Sequence, residues 1–255
     1  MVRLHYAEGM NVTGVDWPML RHPGAEEPEG GGLRERKKRM MRRQLSGTAT
    51  AMFLERGFDA VRVAEIADAC GVSEKTVFNY FPNKESLILD RWDATLASLR
   101  TALADPGLSP VRAALRILSD ELTALTAWLA AQDDPVQAAA LFLRFGALLR
   151  STPSLRAHQR DTTDRLIAAA AETLAKRSGL NPDDPEPQIA ATALLGLWPV
   201  QFQSLRRHLD GTRAPEQIRR AVTADVERAA RLIDTGLGSF DRRRAQTTTA
   251  DDDRR

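Results

Sequence analysis

The chain has 255 residues, 43% of them hydrophobic, with 16 glycines and 13 prolines. That is enough apolar material for one or two cored domains, and too little Gly and Pro for a low-complexity chain. The single cysteine, Cys70, excludes an intramolecular disulfide and fits a reducing, cytoplasmic setting. Residues 1–32 contain no apolar run of the length that a signal peptide or membrane span needs.

The net charge of +2 hides an uneven distribution. Residues 34–84 carry eleven Lys/Arg against six Asp/Glu, a net +5, and the remainder of the chain is −3. A basic module on a mildly acidic body suits a polyanionic partner, though a solvated basic helix face has the same composition.

Residues 1–32, ending in the run His22 to Gly32, have no periodic apolar face and read as a disordered tail. From Leu33 the pattern is helical. The first helix extends to Arg56, with Met41, Leu45, Thr48, Ala49, Met52 and Phe53 on one face and Gly57 as its cap. A short helix over Val63–Cys70 follows, with Val63, Ile66, Ala67 and Cys70 inward. Gly71 makes a turn, Ser73 is placed to cap a third helix, and Phe81-Pro82 ends it. Amphipathic segments then cover Lys84–Leu103, Pro110–Ala131, Pro135–Arg150, Pro153–Arg177, Gln188–Leu209 (with a kink at Pro199) and Pro215–Leu237. No alternating strand pattern is present. The expectation is an all-α chain of nine helices, in a three-helix head over 33–99 and a six-helix body over 100–238, with a loose charged tail over 239–255.

The segment Gly57–Leu87 resembles the DNA-binding head of the tetracycline-repressor (TetR) family. The matching positions are Gly57-Phe58, Ile66-Ala67, Gly71-Val72-Ser73, Thr76-Val77-Phe78, Tyr80-Phe81 and Lys84-Glu85. The resemblance spans about residues 39–99, with the helix-turn-helix at 62–81. Its physical logic is readable: Ala67 lets two helices cross closely, Gly71 permits the turn, and Ile66, Val72, Val77 and Phe81 lock the pair. The exposed face of Ser73–Tyr80 is then free to enter a major groove.

The resemblance implies a DNA-facing set of Arg62, Ser73, Glu74, Lys75, Thr76, Phe78, Asn79, Tyr80 and Lys84. In this reading Asn79 reads a base, and Lys84 clamps a phosphate with the help of a helix N-terminus. Two positions depart from the family pattern: Arg62 stands where threonine is usual and Phe78 where tyrosine is usual. Glu74 is tolerated beside DNA only if it accepts from a cytosine amine. The run Leu33–Arg43, seven of whose eleven residues are Lys or Arg, is either an arm onto DNA or a solubilising face.

For the body, the resemblance implies a small-molecule pocket and a dimer interface. Trp128, Phe142, Phe145, Trp198 and Phe202 are candidates for lining a cavity, or plain core. The last two helices, residues 188–237, are the candidate homodimer bundle. The expected partners are a double-stranded operator, a second copy and a small hydrophobic effector. No membrane partner, cofactor, metal site or catalytic group is expected: His5, His22, His158 and His208 lack any paired motif, and no phosphate-cradling glycine loop is present. The expected function is a repressor released from a palindromic operator by an apolar effector. The alternative is an activator, or an interaction module without an inducer.

Overall fold

The computed structural model describes residues 32–89 and 92–252, with side chains described at 32–89 and 95–236. The expected tail over 1–32 therefore lies outside the described residues, apart from Gly32. Among the described residues eleven helices follow one another: α1 (Leu33–Arg56), α2 (Val63–Ala69), α3 (Glu74–Tyr80), α4 (Ser86–Leu89), α5 (Trp92–Ala104), α6 (Pro110–Ala130), α7 (Pro135–Ser151), α8 (Pro153–Ser178), α9 (Pro185–Leu195), α10 (Leu197–His208) and α11 (Pro215–Asp252). No strand occurs among the described residues, and none of the helices searched is long and apolar enough to cross a membrane.

Two features differ from the sequence reading. The single helix expected over Gln188–Leu209 is two helices, α9 and α10, meeting at Gly196. Pro199 has no N–H, and its ring crowds the carbonyl four residues back, so the break falls there rather than as a kink at the proline. The loose tail expected over 239–255 is helical as far as Asp252. Extending a formed helix costs little per residue, and Arg, Ala and Gln favour it with no proline to stop it. The chain forms two compact units, one of residues 32–89 with Arg144–Arg156, the other of 92–143 and 157–252. Within the described residues the chain thus passes between the units three times.

In the first unit, Leu45, Ala49 and Phe53 of α1 are fully buried, together with Phe58, Val61, Ile66, Ala67, Val77, Phe81 and Leu87. Phe53 and Phe58 are tilted with centroids 4.8 Å apart, a favourable aromatic arrangement. Gly57, at φ 87°, ends α1 with its N–H on the Phe53 carbonyl. Arg144 donates from Nη2 to the Leu54 carbonyl at 2.9 Å.

The second unit is built around α6, which packs on α5, α9, α10 and α11. Its N-terminus has Pro110 in the first helical position and is capped by Ser109, whose hydroxyl accepts from the Arg112 N–H. Asp225 of α11 ties that helix to α10. It accepts from Ser204 Oγ at 2.7 Å and from Arg207 at 2.8 Å, besides Arg228 on its own helix at 2.6 Å. These bonds, that of Ser204 first, hold its carboxyl down at about 2. Glu121 of α6 accepts from the Trp198 indole of α10 at 3.1 Å.

Burial pushes the Glu121 carboxyl up from 4.5 to about 7, against the indole bond, with Asp120 nearby adding to the rise. The folded state therefore holds this proton more tightly than the unfolded chain. The contribution is complete below the ordinary value and is lost as pH rises toward 7. Melting temperature should fall between pH 5 and pH 8 more steeply in the native chain than in Glu121→Gln. Parallel profiles would show that Glu121 stays ionised in the fold.

Candidate nucleic-acid interface

The α2–turn–α3 unit assembles from local bonds. Arg62 precedes α2 and has no acceptor with which to cap it. Glu65 reaches back instead and accepts from the Arg62 backbone N–H at 2.8 Å. Arg56 holds the same carboxylate at 2.8 Å, and the two bonds keep it below the usual carboxylate range. The Arg62 side chain is left 82% exposed. At the end of α2 the Val72 N–H bonds the Ala67 carbonyl at 3.0 Å and Gly71 takes φ 68°. A Cβ at Gly71 would meet nothing within 4 Å, so glycine is needed there for its backbone conformation and not for space.

Ser73 caps α3 by accepting from the Thr76 N–H at 3.1 Å. Its hydroxyl also bonds the Thr76 hydroxyl at 2.8 Å. Val77 turns inward and is 1% exposed, as is Phe81. Outward lie Ser73, Glu74, Lys75, Phe78 and Asn79, all exposed, with Thr76 and Tyr80 half-buried at the margins. Lys75, Phe78 and Asn79 share one face by their i, i+3, i+4 spacing. Phe78 leaves 46% of its surface in water, a cost that a solvated helix gains nothing from. Glu74, in the first turn, is favoured by the positive end of the helix.

Two anchors of this unit were not legible in the sequence. Arg42 of α1 donates to the Tyr80 carbonyl at 2.9 Å and lies 4.8 Å from the Phe81 ring centroid. It reads in sequence as one more member of a basic run. Asn83 caps α4, accepting from the Ser86 N–H at 2.8 Å.

Lys84 is fastened within the unit. Its Nζ donates to the Phe58 carbonyl at 2.6 Å and lies 4.3 Å from the Phe58 ring centroid and 5.5 Å from that of Phe53. Burial lowers its pKa, with Asp59 and Glu85 opposing. The ammonium fastens the α1–α2 turn to the start of α4. Lys84→Met keeps the stem and removes the donor. It should lower stability by about 1.5–3 kcal/mol, the worth of a hydrogen bond to a charged group, read as a shift of the urea midpoint at constant slope. An unchanged midpoint would leave the ammonium free for another partner.

The five aromatic side chains expected around a cavity do not come together in one unit. Phe145 belongs to the first, and Trp128, Phe142, Trp198 and Phe202 to the second. Phe142, Phe145 and Trp198 are buried, Trp128 is half-buried, and Phe202 is 39% exposed. Among the described residues no group of three or more His, Cys, Asp or Glu is placed to hold a metal ion.

The family model of bacterial regulatory proteins of the tetR family matches residues 47–90, and that of the MftR C-terminal domain matches 141–233. The HTH-type transcriptional regulator TcmR of Streptomyces glaucescens is 30% identical over 179 residues, 69% of this chain and 75% of TcmR. The HTH-type transcriptional activator FasR of Mycolicibacterium smegmatis is 29% identical over 74% of this chain and 83% of its own length. An HTH-type regulator of Bacillus subtilis, YdeS, is 40% identical over 58 residues, 23% of this chain and 29% of YdeS. The helix-turn-helix geometry and these relatives agree: the chain belongs to the TetR family of DNA-binding transcriptional regulators and is not an enzyme.

Proposed function

We propose that the chain represses transcription by gripping a near-palindromic operator as a homodimer, and lets go when a small apolar effector occupies the second unit. The observation that carries the DNA reading is the outward face of α3, where Lys75, Phe78 and Asn79 stand exposed on a helix locked from behind by Val77 and Phe81. Asn79 suits bidentate reading of a base, Phe78 a thymine methyl, and Lys75 a phosphate or guanine edge. Arg62 and the exposed Arg34, Lys37 and Lys38 of α1 supply further backbone contacts. Lys84 contributes by holding the turn.

The dimer reading rests on residues 188–237. Ile189, Phe202 and Leu232 expose 64%, 39% and 83% of their surfaces there, apolar surface that a partner helix would cover. Phe202 is better placed for a partner helix than for a closed cavity. The name of FasR favours the activator as the second reading. A reporter behind the bound promoter separates the two, since deletion of the regulator raises expression under a repressor and lowers it under an activator.

A mobility shift with the intergenic DNA beside the gene tests DNA binding. Affinity should fall steeply with salt through counterion release, and the two recognition helices should span about 34–36 Å or a wider equivalent. Asn79→Ala should relax preference at one base pair per half-site by about 1–3 kcal/mol. Unchanged preference would remove Asn79 from the reading face. In light scattering the native chain should weigh twice 28.2 kDa, and Leu232→Arg should shift it toward the monomer. A native monomer with intact helix content would overturn the dimer. Effector release by a hundredfold requires about 2.7 kcal/mol of coupling.

A further inference from the structure

A cleft of about 320 Å³ opens in the second unit between α6, α10 and α11. Leu115, Leu118 and Leu122 of α6 and Val226 of α11 form its apolar lining. Its polar lining is chemically unspent. Gln201 is 5% exposed and lines the cleft, yet no hydrogen bond to its amide occurs among the described residues. An uncompensated buried amide is costly, and native folds seldom leave one without a purpose. Arg112 and Arg116, also in the lining, have no ion pair among the described residues.

We infer that this cleft is a binding site for a compact organic anion, an apolar body carrying a carboxylate or similar head group. The two guanidiniums outnumber the lone acid of the lining, Glu227, and so favour a negative head. Arg112 and Arg116 lie four residues apart on one face of α6, a spacing that lets both reach a single carboxylate. The leucines and Val226 take the apolar body, and the Gln201 amide gains the partner it lacks. The volume lies at the low end of the roughly 300–1,000 Å³ of small-molecule pockets, so the ligand is compact. None of Trp128, Phe142, Phe145, Trp198 and Phe202 lines the cleft.

On α11 the cleft lies on a different side from Leu232 of the candidate dimer face. Glu227 and Leu232 are five residues apart, about 140° around the helix at 100° per residue. A molecule in the cleft therefore does not compete with a partner helix at Leu232.

This inference rests on the effector reading above and gives it a chemistry. The test uses the full chain and four probes in matched pairs: 1-naphthoate with 1-naphthalenemethanol, and decanoate with decanol. Isothermal titration and thermal shift should show at least one acid binding tenfold or more tightly than its alcohol. Arg112→Glu/Arg116→Glu, both at exposed positions, should abolish that preference while melting like the native chain. Gln201→Met should weaken the acid severalfold. Absence of binding by both acids, equal binding of acid and alcohol, or an acid preference that survives the double substitution would each overturn the site. If the acids bind as expected but leave the mobility shift unchanged, the anion site stands and the effector reading falls. If an acid releases DNA equally from the native and doubly substituted chains, the effector reading stands and this cleft is not its site.

Discussion

A seven-residue helix has too few internal hydrogen bonds to persist in water by itself, and α3 is seven residues long. Everything the first unit does follows from the need to hold that helix. Val77 and Phe81 bury its inner side, Ser73 satisfies an N-terminal donor, and Arg42 satisfies a C-terminal carbonyl. Each bond is worth only about 0.5–3 kcal/mol, but they act on opposite ends of one short rod. Together they fix its direction, and a reading helix that is already ordered loses little entropy when it meets DNA.

The same device recurs along the chain. The last carbonyls of a helix have no partner within it. Arg42 meets that of Tyr80 at the end of α3, Arg144 that of Leu54 near the end of α1, and Arg177 those of Leu103 and Asp105 at and beyond the end of α5. A guanidinium is suited to the task, because several fixed donors face the negative end of the helix dipole. Lys84 does the same for Phe58 in the α1–α2 turn. Such cations hold the fold from within, which a count of net charge does not show.

This separates what was legible in the sequence from what was not. The helix-turn-helix was legible because its determinants lie within one short frame: Gly71 for the turn, Ser73 for the cap, Val77 and Phe81 for the inward face. The stripe of α1 was legible for the same reason, through the helical spacing of Leu45, Ala49 and Phe53. The break at Gly196 was misread as a kink because Pro199 marks a disturbance without saying which residue absorbs it. Lys84 and Arg42 find their partners 26 and 38 residues away, and Arg144 finds its own 90 residues away. No local pattern encodes such pairs. Inclusion of Arg144–Arg156 in the first unit depends on tertiary packing of the same range. The cleft was hidden likewise, since Gln201 reads in sequence as one of several polar residues on α10, and only the fold turns it inward while Gln203, Arg206 and Arg207 stay exposed.

Sorting the cations by whether they are already engaged sharpens the functional map. Beside Arg42, Lys84 and Arg144, whose bonds are internal, the outward basic groups of the first unit include Arg34, Arg36, Lys37 and Lys38 of α1, Arg62, Lys75 of α3 and Arg156 of α8. In the second unit most ion pairs are local, as with Glu216 between Arg219 and Arg220, and exposed pairs of that kind add little stability. Arg112 and Arg116 stand apart because they border an apolar cleft instead of bulk water alone. Lower local dielectric strengthens the attraction of a guanidinium for an anion, so the same residue type has more to gain there than on open surface. The outward cations of the two units thus suit two different anions: an extended polyanion along the exposed face of α3 in the reading proposed above, and a single head group at the cleft in the inference drawn from it.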